Sequence, residues 1–331
     1  MPRPHRGTSM PGLRVAFLVL LLAAGSSGQS SEVTLERLAD RVRVEVGGKL
    51  FTEYRLDGKR PCLWPVKGPG GVTITRSHPL GALADGEAKD HPHHTGIWFG
   101  HGNVNGTDFW HPQSKKNGGR VELEKVLDDP AKAGRIRVRQ RWLDVQGKPL
   151  AADTTTLTFG AGASARWIDW RVDVEATHGV LRFGDTKEGT LGIRMHPALR
   201  LNGKVAKGKV VNARGTTGKR VWGQRAAWID YSGPIDGRVV GVAMMDTPGN
   251  PRYPTWWHAR EYGLCAANPF GIHYFEKKPR GTGDLILQEG KTLTFRWRVV
   301  VHDGDARAAD IAARHLAWKE SAIGGVEKKN R

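Results

Sequence analysis

Residues Arg41 to Val46 read Arg-Val-Arg-Val-Glu-Val, every second side chain apolar and those between charged. A pleated strand sends successive side chains to opposite faces, so this rhythm puts the valines on the buried side of a half-covered sheet. The pattern returns at Leu50 to Leu56, Val72 to Thr75, Arg135 to Trp142, Thr154 to Phe159, Arg166 to Val174, Val239 to Met245 and Leu293 to Val301. Pairs such as Asp57-Gly58, Gln146-Gly147, Asp236-Gly237 and Asp303-Gly304 lie between them, where glycine accepts the positive φ that tight hairpins demand. No amphipathic stretches of roughly 10–15 residues separate the strands, as a parallel α/β sheet would need. The expected fold class is all-β, a large two-sheet antiparallel β-sandwich closed by a short C-terminal helix. That helix should run from Asp310 to Lys319, with Ile311, His315, Leu316 and Trp318 available for packing. One domain over residues 29–323 and a frayed, disordered tail at 324–331 complete the expected organisation.

The N-terminus carries Arg3, Arg6 and Arg14, then an apolar run from Val15 to Ala24 and the small, polar Gly25-Ser-Ser-Gly28. A positive flank, a short apolar core and a small-residue exit are the marks of a secretory signal peptide, here residues 1–28, with a retained anchor as the alternative. The expected location is therefore periplasmic or extracellular, with no transmembrane segment after signal removal. The formal charge is +18, and loss of the signal's three arginines leaves about +15. In an exported chain whose Lys and Arg are scattered rather than blocked, this does not point to nucleic acid. It is compatible with an anionic ligand drawn in electrostatically. Cys62 and Cys265 are the two cysteines, and an oxidising compartment would permit, though not require, their pairing.

Chemistry is expected in loops and strand ends. Asp90-His-Pro-His-His-Thr-Gly-Ile-Trp-Phe-Gly-His101 crowds His91, His93, His94 and His101 with Trp98, and the segment runs on through Asp108 to Trp110. If Asp90 to His94 is extended, His91 and His93 share one face and His94 takes the other. A second stretch offers Lys187, Glu188, Arg194 and His196; a third holds Trp256, Trp257, His258, Tyr262 and Asn268. An imidazole titrating near neutrality can exchange protons with a substrate, a carboxylate can complement it, and tryptophan faces can stack on sugar rings. The candidate catalytic set is Glu188 with His94, His101, His196 or His258. Trp98, Trp110, Lys187, Arg194, Trp257, Tyr262 and Asn268 are candidates for substrate binding. No cofactor is expected. A divalent metal, if one binds, would fall to His91 and His93, although the spacing matches no strict zinc pattern.

Several strings resemble a family of secreted bacterial proteins known as PmoA-like, a domain of unknown function common in polysaccharide degraders. They are Asp90 to Gly102, Val104-Asn-Gly-Thr-Asp-Phe-Trp110, Asp185-Thr-Lys-Glu-Gly189, Tyr262 to Gly271 and Leu293 to His302. The resemblance spans roughly residues 35 to 320 and implies the galactose-mutarotase-like supersandwich. Mutarotases of that fold use a histidine acid and a glutamate base, roles that would suit Glu188 and one of the histidines. The family's name suggests a methane monooxygenase subunit, but that subunit has many apolar spans and this chain has none after its signal. Copper–oxygen chemistry is therefore not carried over. The resulting expectation is an exported protein acting on a carbohydrate or sugar derivative, of hydrolase, lyase or epimerase type. A non-catalytic carbohydrate-binding module is the alternative, and a metal-dependent oxidase or oxygenase is third. The oligomeric state is left open.

Overall fold

The computed structural model describes residues 1–2 and 32–327, so nearly all of the expected signal peptide, from residue 3 to residue 28, and the last four residues of the chain lie outside the described residues. Two eight-stranded antiparallel sheets dominate. The first has, in spatial order, Val33–Arg37 (β1), Arg41–Val46 (β2), Lys49–Arg55 (β3), Cys62–Val66 (β4), Ile97–His101 (β5), Gly189–Arg194 (β11), Leu264–Asn268 (β16) and Trp256–Ala259 (β15). The second has Lys209–Asn212 (β12), Trp228–Ile235 (β13), Arg238–Met245 (β14), Thr292–Asp303 (β18), Ala165–Glu175 (β9), Pro149–Ala161 (β8), Arg135–Leu143 (β7) and Arg120–Val126 (β6). A small ribbon pairs Leu181–Phe183 (β10) with Leu285–Leu287 (β17). Two short helices, Pro130–Ala133 (α1) and Ile272–Glu276 (α2), precede the C-terminal helix Ile311–Glu327 (α3).

The expected antiparallel sandwich is what forms, and the two-residue rhythm explains why. In β2 the valines are buried and the charged residues between them partly exposed. In β9, Ile168, Trp170, Val172 and Val174 face the core while Asp169, Arg171 and Asp173 face outward. The sheets meet through aromatic contacts, with Phe99 of the first lying 5.9 Å from Trp142, 5.5 Å from Phe295 and 6.0 Å from Trp297 of the second. Asp236 and Gly237 both take positive φ, +49° and +76°, as a two-residue type I′ hairpin needs between β13 and β14.

Two expectations change, and the pairing left open for the cysteines is answered. Val72 to Thr75 is not a strand but makes isolated bridges, Lys67 to Thr73 and Thr75 to Met195. The terminal helix continues to Glu327, beyond Lys319 and into the segment expected to fray. It packs Ile311 and Trp318 on the outer face of the second sheet against Ala243, Met245 and Val300, while Leu316 faces solvent. Cys62 and Cys265 are both free and buried. Cys265 lies in the inter-sheet core and Cys62 in a small outer cluster with Trp98, on the opposite side of the sheet.

Candidate active site

The outer face of the first sheet positions the site. One cross-strand row runs Cys62, Trp98, Gly192, Ala266, His258 across β4, β5, β11, β16 and β15. Small residues stand in the middle of this row for a steric reason. A Cβ on Gly192 would lie 2.7 Å from both the Trp98 and Trp110 rings, so only glycine lets the two indoles pack there. With Cys62, Leu264 and Ala266 they form a dry patch on which the histidine loop rests.

That loop is a turn rather than the extended run expected. His91 has a φ of +44°, and the His94 N–H returns to the His91 carbonyl at 3.0 Å. His91 and His94 therefore stack, nearly parallel, with ring centroids 4.9 Å apart. The column continues to Tyr262 on one side, at 5.2 Å, and Trp98 on the other, at 5.3 Å. His93 instead packs on His111 at 4.1 Å.

Three buried arginines hold the turn by its backbone. Arg60 donates to the carbonyls of Phe109, Trp110 and His93, at 3.0, 2.7 and 2.6 Å. Arg76 donates to the carbonyls of Asp90, His91 and His94. Arg194 grips both Asp90 carboxylate oxygens, at 2.8 and 2.9 Å, and reaches His94 Nδ1 at 3.2 Å. A guanidinium only donates, so His94 Nδ1 is an acceptor and its proton sits on Nε2. Burial and neighbouring cations depress His94 well below the usual imidazole range. Burial opposes ionisation of Asp90, but hydrogen bonds from Arg194 and His91 outweigh it and hold that carboxyl low. Arg60 and Arg76 carry no sequence signal for this role, because their acceptors lie 14 to 50 residues away.

Beside the loop is a cavity of about 550 Å³, walled by His91, His93, His94, Asp108, Trp110, His111, Lys187, Glu188, His258, Arg260 and Tyr262. It draws on all three stretches singled out from the sequence. Glu188 and Lys187 form an ion pair just before β11. His258 is 2% exposed and donates from Nδ1 to the Lys187 carbonyl at 2.7 Å, which leaves Nε2 as its acceptor. Burial lowers its pKa to about 4, against the raising influence of Glu188, so the ring is neutral at neutral pH. Burial likewise pushes His93 down to about 3, helped by His111 and Arg60. Asp108 Oδ1 accepts from the backbone of Trp110 and His111, at 2.9 and 2.7 Å. Burial raises the Asp108 pKa, the charge of Glu188 adding to the effect, so this carboxyl holds its proton more tightly than usual. Asp108, His111 and Arg260 were not among the residues chosen from the sequence, although Asp108 sits inside the crowded segment that drew attention.

Other expected residues are elsewhere. His101 points into the core, where Nε2 donates to the Gly184 carbonyl at 2.8 Å and the ring packs on Phe183 and Phe270. His196 caps the turn Pro197–Leu199 by accepting from the Ala198 N–H at 3.2 Å. Trp257 faces the inter-sheet core, with its indole N–H on the Ala226 carbonyl, because strand alternation turns it away from His258. Trp98 is fully buried under His94 and Trp110, so it is a floor and not an open platform. Arg194 braces the loop from beneath, and Asn268 spends its amide on Thr186, Phe270 and Gly271. His91 and His93 do not present a shared face: their rings are 5.7 Å apart and steeply inclined. Among the described residues no three His, Cys, Asp or Glu side chains are grouped to hold a metal ion. No helix there is long and apolar enough to cross a membrane.

Among solved structures, the chain is similar to a beta-arabinopyranosidase, with 10% identity over 82% of this chain and 38% of that one, at a TM-score of 0.30. It is similar to an alpha-galactosidase from Geobacillus stearothermophilus in complex with stachyose, with 12% identity, coverage of 83% and 41%, and a TM-score of 0.36. A galactose mutarotase related enzyme from Lactobacillus acidophilus shares 11% identity, with coverage of 82% and 97% and a TM-score of 0.28. The chain thus spans 38% and 41% of the first two proteins' lengths. No curated protein sequence matches it. The sequence model of DUF6807, a family of unknown function, matches residues 41–315, and the chain belongs to that family.

Proposed function

We propose that this chain is an exported enzyme that binds a carbohydrate or sugar derivative in the cavity beside the histidine turn and acts on it by acid–base chemistry. The observation that carries the reading is convergence: two carboxylates, Asp108 and Glu188, and two neutral imidazoles, His94 and His258, line one cavity of about 550 Å³. That volume is in the range of small-molecule sites. The tautomer of His258 is set by the Lys187 carbonyl, so its Nε2 lone pair can accept a proton from a substrate hydroxyl or carbon acid. Asp108, whose pKa is raised by burial, and Glu188 supply the two carboxyl groups that can complement it in proton transfer. Lys187, Arg260 and Tyr262 offer donors and a ring face at the wall.

Incubation with a panel of oligosaccharides, including oxidised and uronic-acid sugars, tests this by mass spectrometry, with polarimetry or NMR for isomerisations that conserve mass. Turnover that falls by about 10²–10⁴ in folded Glu188→Gln or His258→Asn protein supports it. A second reading, a non-catalytic carbohydrate-binding module, is favoured by the stacked rings of Tyr262 and His91, the accessible end of the column at the cavity wall. Saturable binding that Tyr262→Ala abolishes, with no chemical change in any sugar, would select it. Metal-dependent oxidation is the third reading, and elemental analysis of purified protein free of Cu, Fe and Zn would remove it.

A further inference from the structure

The outward face of the second sheet holds a charge arrangement that the cavity chemistry does not use. Register places Arg137 opposite Thr156, Thr156 opposite Arg171, and Arg171 opposite Arg296, one transverse row across β7, β8, β9 and β18. Like charges directly opposite on adjacent strands destabilise a sheet. Neighbouring rows on this face avoid the conflict. Arg298 is held by Asp169 at 2.7 Å and stands opposite it, and Arg139 reaches Glu175 at 3.1 Å. Arg171 has Asp173 as its partner, but among the described residues Arg296 and Arg137 make no ion pair.

Arg296 stands on well-anchored backbone. β14 ends its pairing with β18 at Arg298, and beyond that point the Asn250 side chain replaces the missing strand. Its Oδ1 accepts from the Arg296 N–H at 2.7 Å and its Nδ2 donates to the Arg296 carbonyl at 2.6 Å. Asn250 is fixed in turn by Asp246 at 2.6 Å. Above this row lies a cavity of about 320 Å³, lined by Arg171, Arg296, Arg298, Thr156, Asp169 and, from α3, Trp318. Three guanidiniums border it, but Asp169 pairs with Arg298 and Asp173 with Arg171, so Arg296 supplies the one positive charge left without an ion-pair partner among the described residues, beside a threonine hydroxyl. An arginine on anchored backbone, without an ion-pair partner among the described residues and standing beside a second arginine on the next strand, is complementary to an anion that both can donate to.

We propose that this cleft is an oxyanion-binding site, distinct from the cavity on the first sheet, in which Arg296 and Arg171 bind a sulfate or carboxylate group of an anionic ligand. The test is thermal unfolding and calorimetry at low ionic strength, titrating inorganic sulfate, glucose 6-sulfate and glucuronate against sodium chloride at matched ionic strength. Saturable binding and a rise in melting temperature that chloride does not reproduce are expected, and the three ligands separate sulfate from carboxylate recognition. Arg296→Gln should weaken binding by about tenfold or more, the loss of a charge-assisted contact. The same variant should not lower the melting temperature without anion, because it removes a like-charge opposition. Arg135→Gln, on the same face but paired with Asp128, should bind as the wild type does. In the unmodified protein, sulfate should slow phenylglyoxal labelling of Arg296 and Arg171, mapped by mass spectrometry, but not of Arg43. Absence of saturable binding, equal binding by Arg296→Gln, or labelling slowed equally at Arg43 would each overturn the assignment.

Discussion

Replacing His101 by glutamine should convert a buried acid-sensitive group into a neutral one. His101 is fully buried, with one ring nitrogen on the Gly184 carbonyl and the other, Nδ1, making no hydrogen bond. Burial lowers its pKa to about 4, against about 6.5 in an unfolded chain. The sign follows from proton linkage. Above about pH 6.5 the ring is neutral in both states; as pH falls, the unfolded chain binds a proton that the folded ring refuses until about pH 4. Stability is thus fully present above the unfolded value and is lost through this window. At about 1.36 kcal/mol per pKa unit the gap of about 2.5 units gives about 3.4 kcal/mol. Glutamine keeps an N–H for the Gly184 carbonyl but does not titrate. His101→Gln should be less stable than wild type by about 1–3 kcal/mol at neutral pH, and this deficit should vanish or reverse near pH 4. Asp246 and Asp153, raised by burial to about 7 and about 6, act with the opposite sign, so the bare pH profile is not diagnostic. The difference between the two proteins is, because those groups are common to both. Urea unfolding at several pH values between about 7 and about 4 measures it. Parallel stability curves for the two proteins would refute the reasoning.

Gly192→Ala places a Cβ 2.7 Å from two indole rings, and urea unfolding should show a loss of about 1–3 kcal/mol with quenching or shift of the Trp98 and Trp110 fluorescence. Arg60→Met removes the donor shared by three carbonyls. Hydrogen exchange should then speed up across residues 91–95 and 108–112 while the second sheet keeps its protection.

The strands were readable because burial of one sheet face writes itself into neighbouring residues. Arg41–Val46 and Arg135–Leu143 show it plainly. Val72 to Thr75 has the same short-range composition but meets only the residues at the ends of β4 and β11, through single bridges, and local pattern does not reveal that. Within the site, three separated stretches were recognised as chemically dense, and the cavity draws on each. Orientation was the weak point. Trp257 and His258 were assigned to one site although the alternation that identified the strands sends adjacent side chains to opposite faces. His101 and Trp98 show a second gap, since residue type does not say whether a histidine or tryptophan ends as wall, floor or core. Arg60 and Arg76 show a third: guanidinium contacts to remote carbonyls depend on tertiary proximity and leave no spacing to read.

Arg60 and Arg76 hold the histidine turn chiefly through main-chain oxygens, those of residues 90, 91, 93, 94, 109 and 110. Every amino acid supplies the same carbonyl. The frame that shapes this wall is therefore largely indifferent to which side chains it displays, and His91, His93 or His111 can be exchanged without removing an acceptor. His94 and Asp90 are different, because Arg194 binds them through their side chains. Cavity walls built this way can be refurnished for new ligands at two or three positions while the fold beneath stays as it is.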